Sequence, residues 1–247
     1  MQKLDYELVV ATPEALRRGF KTLVSELARD AIAARGRFAL AIPGGSVVSV
    51  LLEGLQASDA DWRATELFWC DERAVPAQHA DSNYGASMAG WLGALFDSGI
   101  RTHRMEAEVG SLDDACRRYE RVLVDTLGAT PILDLAVVGV GEDGHIASLF
   151  PDSSALAEEE RSVIGVEDAP KHPRRRVTLT LPMIARTRCL VVAAFGHSKR
   201  DVVRCALEEP TCRLPVARAM RATTRGVILL DDAAASSLQM HRRPSGT

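Results

Sequence analysis

Apolar runs in this chain never exceed the length of a strand, so no membrane-spanning helix is expected. The segment Met1 to Glu7 has no basic stretch leading into an apolar one, which gives no sign of a signal peptide. Charge of one sign is also missing. Lys and Arg number 30 against 33 Asp and Glu, and the net charge of −3 gives no reason to expect a nucleic acid or another polyanion. Any anionic ligand must then be met by a local cluster of positive groups. Cysteine is sparse and unpatterned. Cys70, Cys116, Cys189, Cys205 and Cys212 form no C-x-x-C pair, and their odd number suits a reducing cytosol better than a disulfide framework. The histidines lack H-x-x-x-H spacing, and Asp71, Glu72, Asp143 and His145 are too ordinary a set to imply a metal. Neither an internal repeat nor a dividing linker is visible.

What is present reads as a globular α/β chain. Its 247 residues are 47% hydrophobic and 26% charged, enough to bury a substantial core. Strand candidates are Glu7–Val10, Phe38–Ile42, Leu67–Cys70, Leu133–Val138, Val163–Val166, Val177–Leu181, Cys189–Phe195 and Gly226–Leu230, separated by helical patterns. Thr12 and Pro13 open a helix whose stripe is Leu16, Phe20, Leu23, Leu27 and Ala31, closed by Gly36. Ser111 and Asp114 form a capping-box pattern for a second helix with Leu112, Ala115, Tyr119, Val122, Leu123 and Leu127 on its buried stripe, ended by Gly128. This alternation predicts one Rossmann-like domain over residues 1–240, a mostly parallel sheet with helices on both faces. The polar stretch Ser153 to Arg176 reads as a surface excursion with room for one short strand, and 241–247 as a frayed, disordered tail.

Ligands bind outside the carboxyl ends of strands in a parallel α/β sheet. The strand ending at Ile42 runs into Pro43-Gly44-Gly45-Ser46, and the one ending at Cys70 into Asp71-Glu72-Arg73. The strand ending at Val138 runs into Gly139-Val140-Gly141-Glu142-Asp143-Gly144-His145, and the one ending at Phe195 into Gly196-His197-Ser198-Lys199. Parallel strands would bring these loops to one edge. Gly44, Gly45 and Ser46 before a helix are equally a phosphate cradle or a tight turn with Ser46 as cap. Val48 stands where a G-x-S-x-G elbow needs glycine, so Ser46 is no nucleophile. Arg73 offers a planar fork for phosphate, with a salt bridge to Asp71 or Glu72 as the alternative. Lys199 adds a second cation or is simply exposed, and Arg176 is a third candidate inside a basic run.

His145 carries most information, because it leaves a buried strand in a glycine-rich loop two positions after Asp143. An imidazole can accept a proton from water near neutral pH, and a neighbouring carboxylate can orient the ring. His197 is a reserve candidate; His79, His103, His172 and His241 read as surface residues. Gly139-x-Gly141-x-x-Gly144 formally matches a dinucleotide fingerprint. Glu142 and Asp143 would set carboxylates beside a pyrophosphate, however, and Pro151 cuts the following helix short.

Taken in order, Gly44-Gly45-Ser46, Phe68-Trp69-Cys70-Asp71-Glu72-Arg73-Ala74-Val75-Pro76, Asp81-Ser82-Asn83-Tyr84 and the segment Gly139 to Pro151 resemble successive signatures of the 6-phosphogluconolactonases. Arg176-Val177-Thr178-Leu179-Thr180 and Gly196-His197-Ser198-Lys199 continue the match. The resemblance implies hydrolysis of 6-phosphogluconolactone in the pentose phosphate pathway, with His145 as general base supported by Asp143. It also implies substrate and phosphate contacts from Gly44, Gly45, Ser46, Asp71, Arg73, Asn83, Arg176 and Lys199. A cytoplasmic monomer or homodimer is expected, acting on a small phosphorylated lactone without cofactor, metal, nucleic acid or membrane. The wider superfamily includes glucosamine-6-phosphate deaminases, which place a glutamate where this chain has Phe150. Ile146 after His145 is deaminase-like, whereas lactonases often have threonine there. The competing readings are such a deaminase or isomerase, with Asp71 as the base at carbon, and a non-catalytic sugar-phosphate sensor.

Overall fold

The structure, a computed structural model, describes residues 6–52, 55 and 58–239. The side chains of Ser46 and Phe96 lie outside that description, as does the expected tail 241–247. Strands β1 (Tyr6–Val10), β2 (Phe38–Ile42) and β3 (Thr65–Trp69) are followed by β4 (Asp71–Arg73), β5 (Arg101–His103), β6 (Leu135–Gly139), β7 (Val163–Val166), β8 (Arg176–Leu179), β9 (Leu190–Ala194) and β10 (Gly226–Leu230). Seven of them form a sheet in the order β1-β10-β9-β6-β2-β3-β5, and every neighbouring pair is parallel. From β2 the chain winds outward through β3 and β5. It then returns to β6 on the other side of β2 and winds the opposite way. The reversal between β2 and β6 leaves a crevice beyond their carboxyl ends, where no crossover covers the sheet.

Burial explains the strands. Phe38, Leu40 and Ile42 point to one face of β2, where they pack with Leu16, Phe20 and Val24. Ala39 and Ala41 point to the other, beside Tyr119, Leu123, Ala136 and Val138. With both faces covered, apolar residues fill every position of β2 and β9. Helix α1 (Pro13–Arg35) is capped by Thr12, whose side chain accepts from the Ala15 amide, and ends at Gly36 with φ of 71°. Its most buried line is Leu16, Phe20, Val24, Ala28 and Ala31. Leu23 and Leu27, expected on the stripe, flank it only half-buried, because the 3.6-residue period carries the contact line onto their neighbours. Helices α2 (Ser46–Leu51) and α3 (Asn83–Ala89) precede α4 (Leu112–Leu127), where Ser111 accepts from the Asp114 amide at 3.1 Å. Helix α5 (Leu181–Ala185) is followed by α6 (Arg200–Glu208), α7 (Pro215–Ala222) and α8 (Asp232–Ala235).

Several expectations are corrected. Asp71-Glu72-Arg73 is a strand, not a loop: β4 pairs antiparallel with β8, and β8 with β7, in a separate three-stranded sheet. Within the stretch read as a surface excursion the expected short strand forms as β7, and the stretch also supplies the hairpin loop to β8 and the first residue of β8. Strand β5 was not anticipated, since Arg101-Thr102-His103 has no apolar signature. Glu66 holds it, 2.6 Å from Arg101 and 2.8 Å from His103. His103 is therefore half-buried and stacked on Phe68, not a surface residue. Cys205 and Cys212 form a disulfide, although the cysteine pattern suited a reducing cytosol better than a disulfide framework. The turn leaving α6 brings their Cα atoms to 5.8 Å, within the span a disulfide needs. Among the described residues no helix is long and apolar enough to cross a membrane.

Candidate active site

A cavity of about 180 Å³ opens at the β2–β6 crevice. It is lined by Gly44 and Gly45 after β2, Asp71 and Arg73 of β4, Asn83 of α3, and Gly141, Glu142 and His145 after β6. Arg176 of β8, Lys171 from the β7–β8 loop, and Phe195 and Lys199 after β9 also line it. Asp143 stands behind His145 and is not part of the lining. The reserve candidate His197 is not in the lining either; its ring meets Arg200.

The loop from Val140 to Leu149 holds His145. Ile146 bridges both Val140 and Leu149, and the Gly141 amide donates to the His145 carbonyl at 2.8 Å. His145 Nδ1 lies 2.6 Å from Asp143 Oδ1, which also accepts the His145 amide at 3.1 Å. Burial would raise the Asp143 carboxyl, but the two bonds from His145 outweigh it and hold it below the usual carboxylate range. An ionised carboxylate can only accept, so the shared proton sits on Nδ1. In the neutral ring the Nε2 lone pair is then left to take a proton. The imidazole is 23% exposed, open enough for a water to reach it. Gly141 makes the arrangement possible, because a methyl group there would overlap the imidazole.

The second sheet supplies positive charge. Arg73 of β4 and Arg176 of β8 are direct cross-strand partners. Like charges directly opposite destabilise a strand pair unless something of opposite sign offsets them. Arg73 makes no ion pair among the described residues; Nη1 donates to the Asp81 carbonyl at 2.6 Å, and its buried Nε has no partner. The salt bridge to Asp71 or Glu72 considered for it does not form. Arg176 is no solvated member of a basic run. It is 6% exposed, and its Nε and Nη2 donate to the carbonyls of Pro173 and Lys171 at 2.9 and 3.0 Å. Burial depresses its pKa, opposed by Asp71 and reinforced by Arg73. An anion between the two guanidinium groups would relieve both the repulsion and the orphaned donor.

The remaining polar residues brace these groups. Glu72 accepts from the amides of Arg73, Asn83 and Tyr84 at 2.7, 2.8 and 2.8 Å and from the Ser82 hydroxyl at 3.0 Å, tying the start of α3 to β4. Burial pushes its carboxyl up and these bonds oppose the rise. Asn83, thus placed, donates through Nδ2 to the Asp71 carbonyl at 2.9 Å and packs against Gly44 so closely that a methyl group there would overlap its carboxamide. Asp71 also accepts from Ser148 at 2.6 Å, which fastens the His145 loop to β4. Ser148, Lys171 and Glu142 were not assigned from the sequence. Ser148 lay inside a motif whose polar positions have no periodicity, and Lys171 beside a basic run.

Lys199 stands 3.9 Å from Glu142. Burial lowers the pKa of its ammonium, Glu142 opposes that shift and Lys171 adds to it. The charged form is the one that binds an anion, so affinity should fall as pH rises through that lowered value. We expect sulfate, whose own charge is constant there, to bind about tenfold more weakly once Lys199 is neutral, since a charged hydrogen bond contributes about 1.5–3 kcal/mol. Calorimetry across alkaline pH checks this, and Lys199→Arg, which keeps its charge, should abolish the fall. A fall of equal size in Lys199→Arg would contradict it.

The family model described as glucosamine-6-phosphate isomerases/6-phosphogluconolactonase matches residues 11–228. The 6-phosphogluconolactonase of Rattus norvegicus is 36% identical over 242 residues, spanning 94% of this chain and 93% of that protein. The solved 6-phosphogluconolactonase of Trypanosoma cruzi aligns with a TM-score of 0.85 at 25% identity, covering 96% of this chain and 98% of that one. A solved monomeric glucosamine-6-phosphate deaminase aligns with a TM-score of 0.76 at 21% identity, over 94% and 99% of the two chains, a likeness of fold alone. By the extent of these matches, the chain belongs to the glucosamine-6-phosphate isomerase/6-phosphogluconolactonase family.

Proposed function

We propose that this chain hydrolyses 6-phospho-D-glucono-1,5-lactone to 6-phosphogluconate in the pentose phosphate pathway, in the cytoplasm. The observation that carries the reading is a proton acceptor and an anion clamp in one cavity: His145 on Asp143, facing the same space as the opposed Arg73 and Arg176. A phosphate monoester bears about −1.5 to −2 charge near neutrality, which suits a clamp of that sign. Arg73, Arg176 and Lys199, with Gly44, Gly45 and Asn83, hold the phosphorylated sugar, and Asp71 keeps Asn83 and Ser148 in place.

His145 Nε2 takes a proton from water as the water oxygen adds to the lactone carbonyl. The tetrahedral oxyanion is stabilised by loop amides and by Lys199. On collapse the bond to the ring oxygen breaks, the imidazolium returns its proton to that oxygen, and a carboxylic acid and a free hydroxyl result; the acid then releases its proton to solvent as the carboxylate. This chemistry calls for no cofactor. General-base assistance contributes about 10²–10⁴-fold, a modest requirement for a lactone that already hydrolyses unaided.

The deaminase reading needs a carboxyl group at the place of Phe150, and a phenyl ring moves no protons. The test is a lactonase assay at fixed pH with spontaneous hydrolysis subtracted, run beside an assay of ammonia release from glucosamine 6-phosphate. Lactone loss well above the spontaneous rate, without ammonia, is expected. Ammonia release with lactone loss at the spontaneous rate would replace the reading with the deaminase one, and binding of the sugar phosphate without turnover of either would indicate a sensor.

A further inference from the structure

His145 and Arg176 share a neighbour that the steps above do not use. The ring of Phe150 has its centroid 4.7 Å from that of His145, tilted by 44°, and the Arg176 guanidinium carbon lies over it at 5.7 Å. At 5% exposure the ring is an internal support, not a wall for the sugar. Both contacts are favourable, the guanidinium on the electron-rich face and the imidazole in a tilted aromatic pairing.

His145 needs such a support. Among the described residues its ring has one hydrogen bond, to Asp143, and one bond sets the tautomer without stopping the imidazole from pivoting about it. Phe150 itself has little freedom. Its carbonyl accepts from the Ser153 amide at 3.2 Å, Pro151 follows it, and the Leu149 amide donates to Ile146 at 2.9 Å. Arg176 is equally fixed by its two bonds to the β7–β8 loop. The phenyl ring thus touches, at the same time, the base and one arm of the clamp.

We infer that Phe150 is a positioning residue that holds the His145 imidazole in register with the Arg176 arm of the anion clamp, fixing the distance between proton acceptor and bound phosphate. The inference rests on the lactonase reading. Its consequence is a particular kinetic pattern. Loss of the ring should leave the phosphate held and the base loosely aimed, and small misplacements of a reacting group cost up to about 10²-fold in rate.

Phe150→Leu and Phe150→Met both keep an apolar side chain in place without a flat face, and Phe150→Tyr restores the ring. Steady-state kinetics on 6-phosphogluconolactone should give a kcat about tenfold lower for Leu and Met, with KM within about twofold of wild type, and recovery of most of kcat in Tyr. Binding of 6-phosphogluconate by calorimetry should be unchanged in all three. Should one variant fail to fold by thermal unfolding, the other carries the test. Wild-type kcat in Leu and Met overturns the inference, and so does a raised KM with kcat intact, which would make the ring a support of the clamp alone. A wild-type protein inactive on the lactone would sink the lactonase reading itself, a different failure from an active wild type with indifferent variants.

Discussion

Replacing His145 with alanine should lower kcat for 6-phosphogluconolactone by at least about a hundredfold while leaving KM within a few-fold of wild type. The split follows from the division of labour in the cavity. Arg73, Arg176 and Lys199 come from β4, β8 and the turn after β9, and none has a hydrogen bond to the imidazole. The variant should therefore keep its grip on the phosphate and lose only the proposed acceptor of the water proton. The measurement is initial rate against substrate concentration, with uncatalysed hydrolysis subtracted at each point. Turnover close to wild type would remove His145 from its proposed role, and Asp143 with it.

Gly141→Ala should be nearly as damaging, although it removes no functional group. The added methyl would overlap the His145 imidazole and stand 2.6 Å from Asp143 Oδ1. Moving one neighbour without the other breaks the 2.6 Å bond between them, and moving both carries the ring away from its observed position. Loss of kcat by about a hundredfold is expected, with thermal unfolding and product binding close to wild type. Activity within twofold of wild type would show that the observed ring position is not the working one.

The sequence reading succeeded where regular burial writes a pattern. Phe38–Ile42, Val163–Val166 and Gly226–Leu230 have the limits expected from their apolar runs, and both long helices have the expected caps. It failed where long-range pairing alone makes a strand. Asp71-Glu72-Arg73 has no apolar alternation, and only its ladder with β8 makes it regular. At the site, the polar ends of β2, β6 and β9 were legible because glycine and charge interrupt buried strands there. The environment of each residue was not. Nothing in a basic run marks Arg176 as buried, nothing marks Lys171 as facing the same cavity, and nothing pairs Phe150 with a guanidinium and an imidazole. Cys205 and Cys212, only seven residues apart, meet because α6 ends between them.

The bond from Ser148 to Asp71 joins a loop of the parallel sheet to a strand of the antiparallel one. The Ser148 amide adds a second tie, to Thr178 Oγ1 of β8 at 3.2 Å, so one residue of the β6 loop is fastened to both β4 and β8. A change in the β7–β8 hairpin that displaced β8 would therefore be felt at the β6 loop as well as at the Arg73–Arg176 pair.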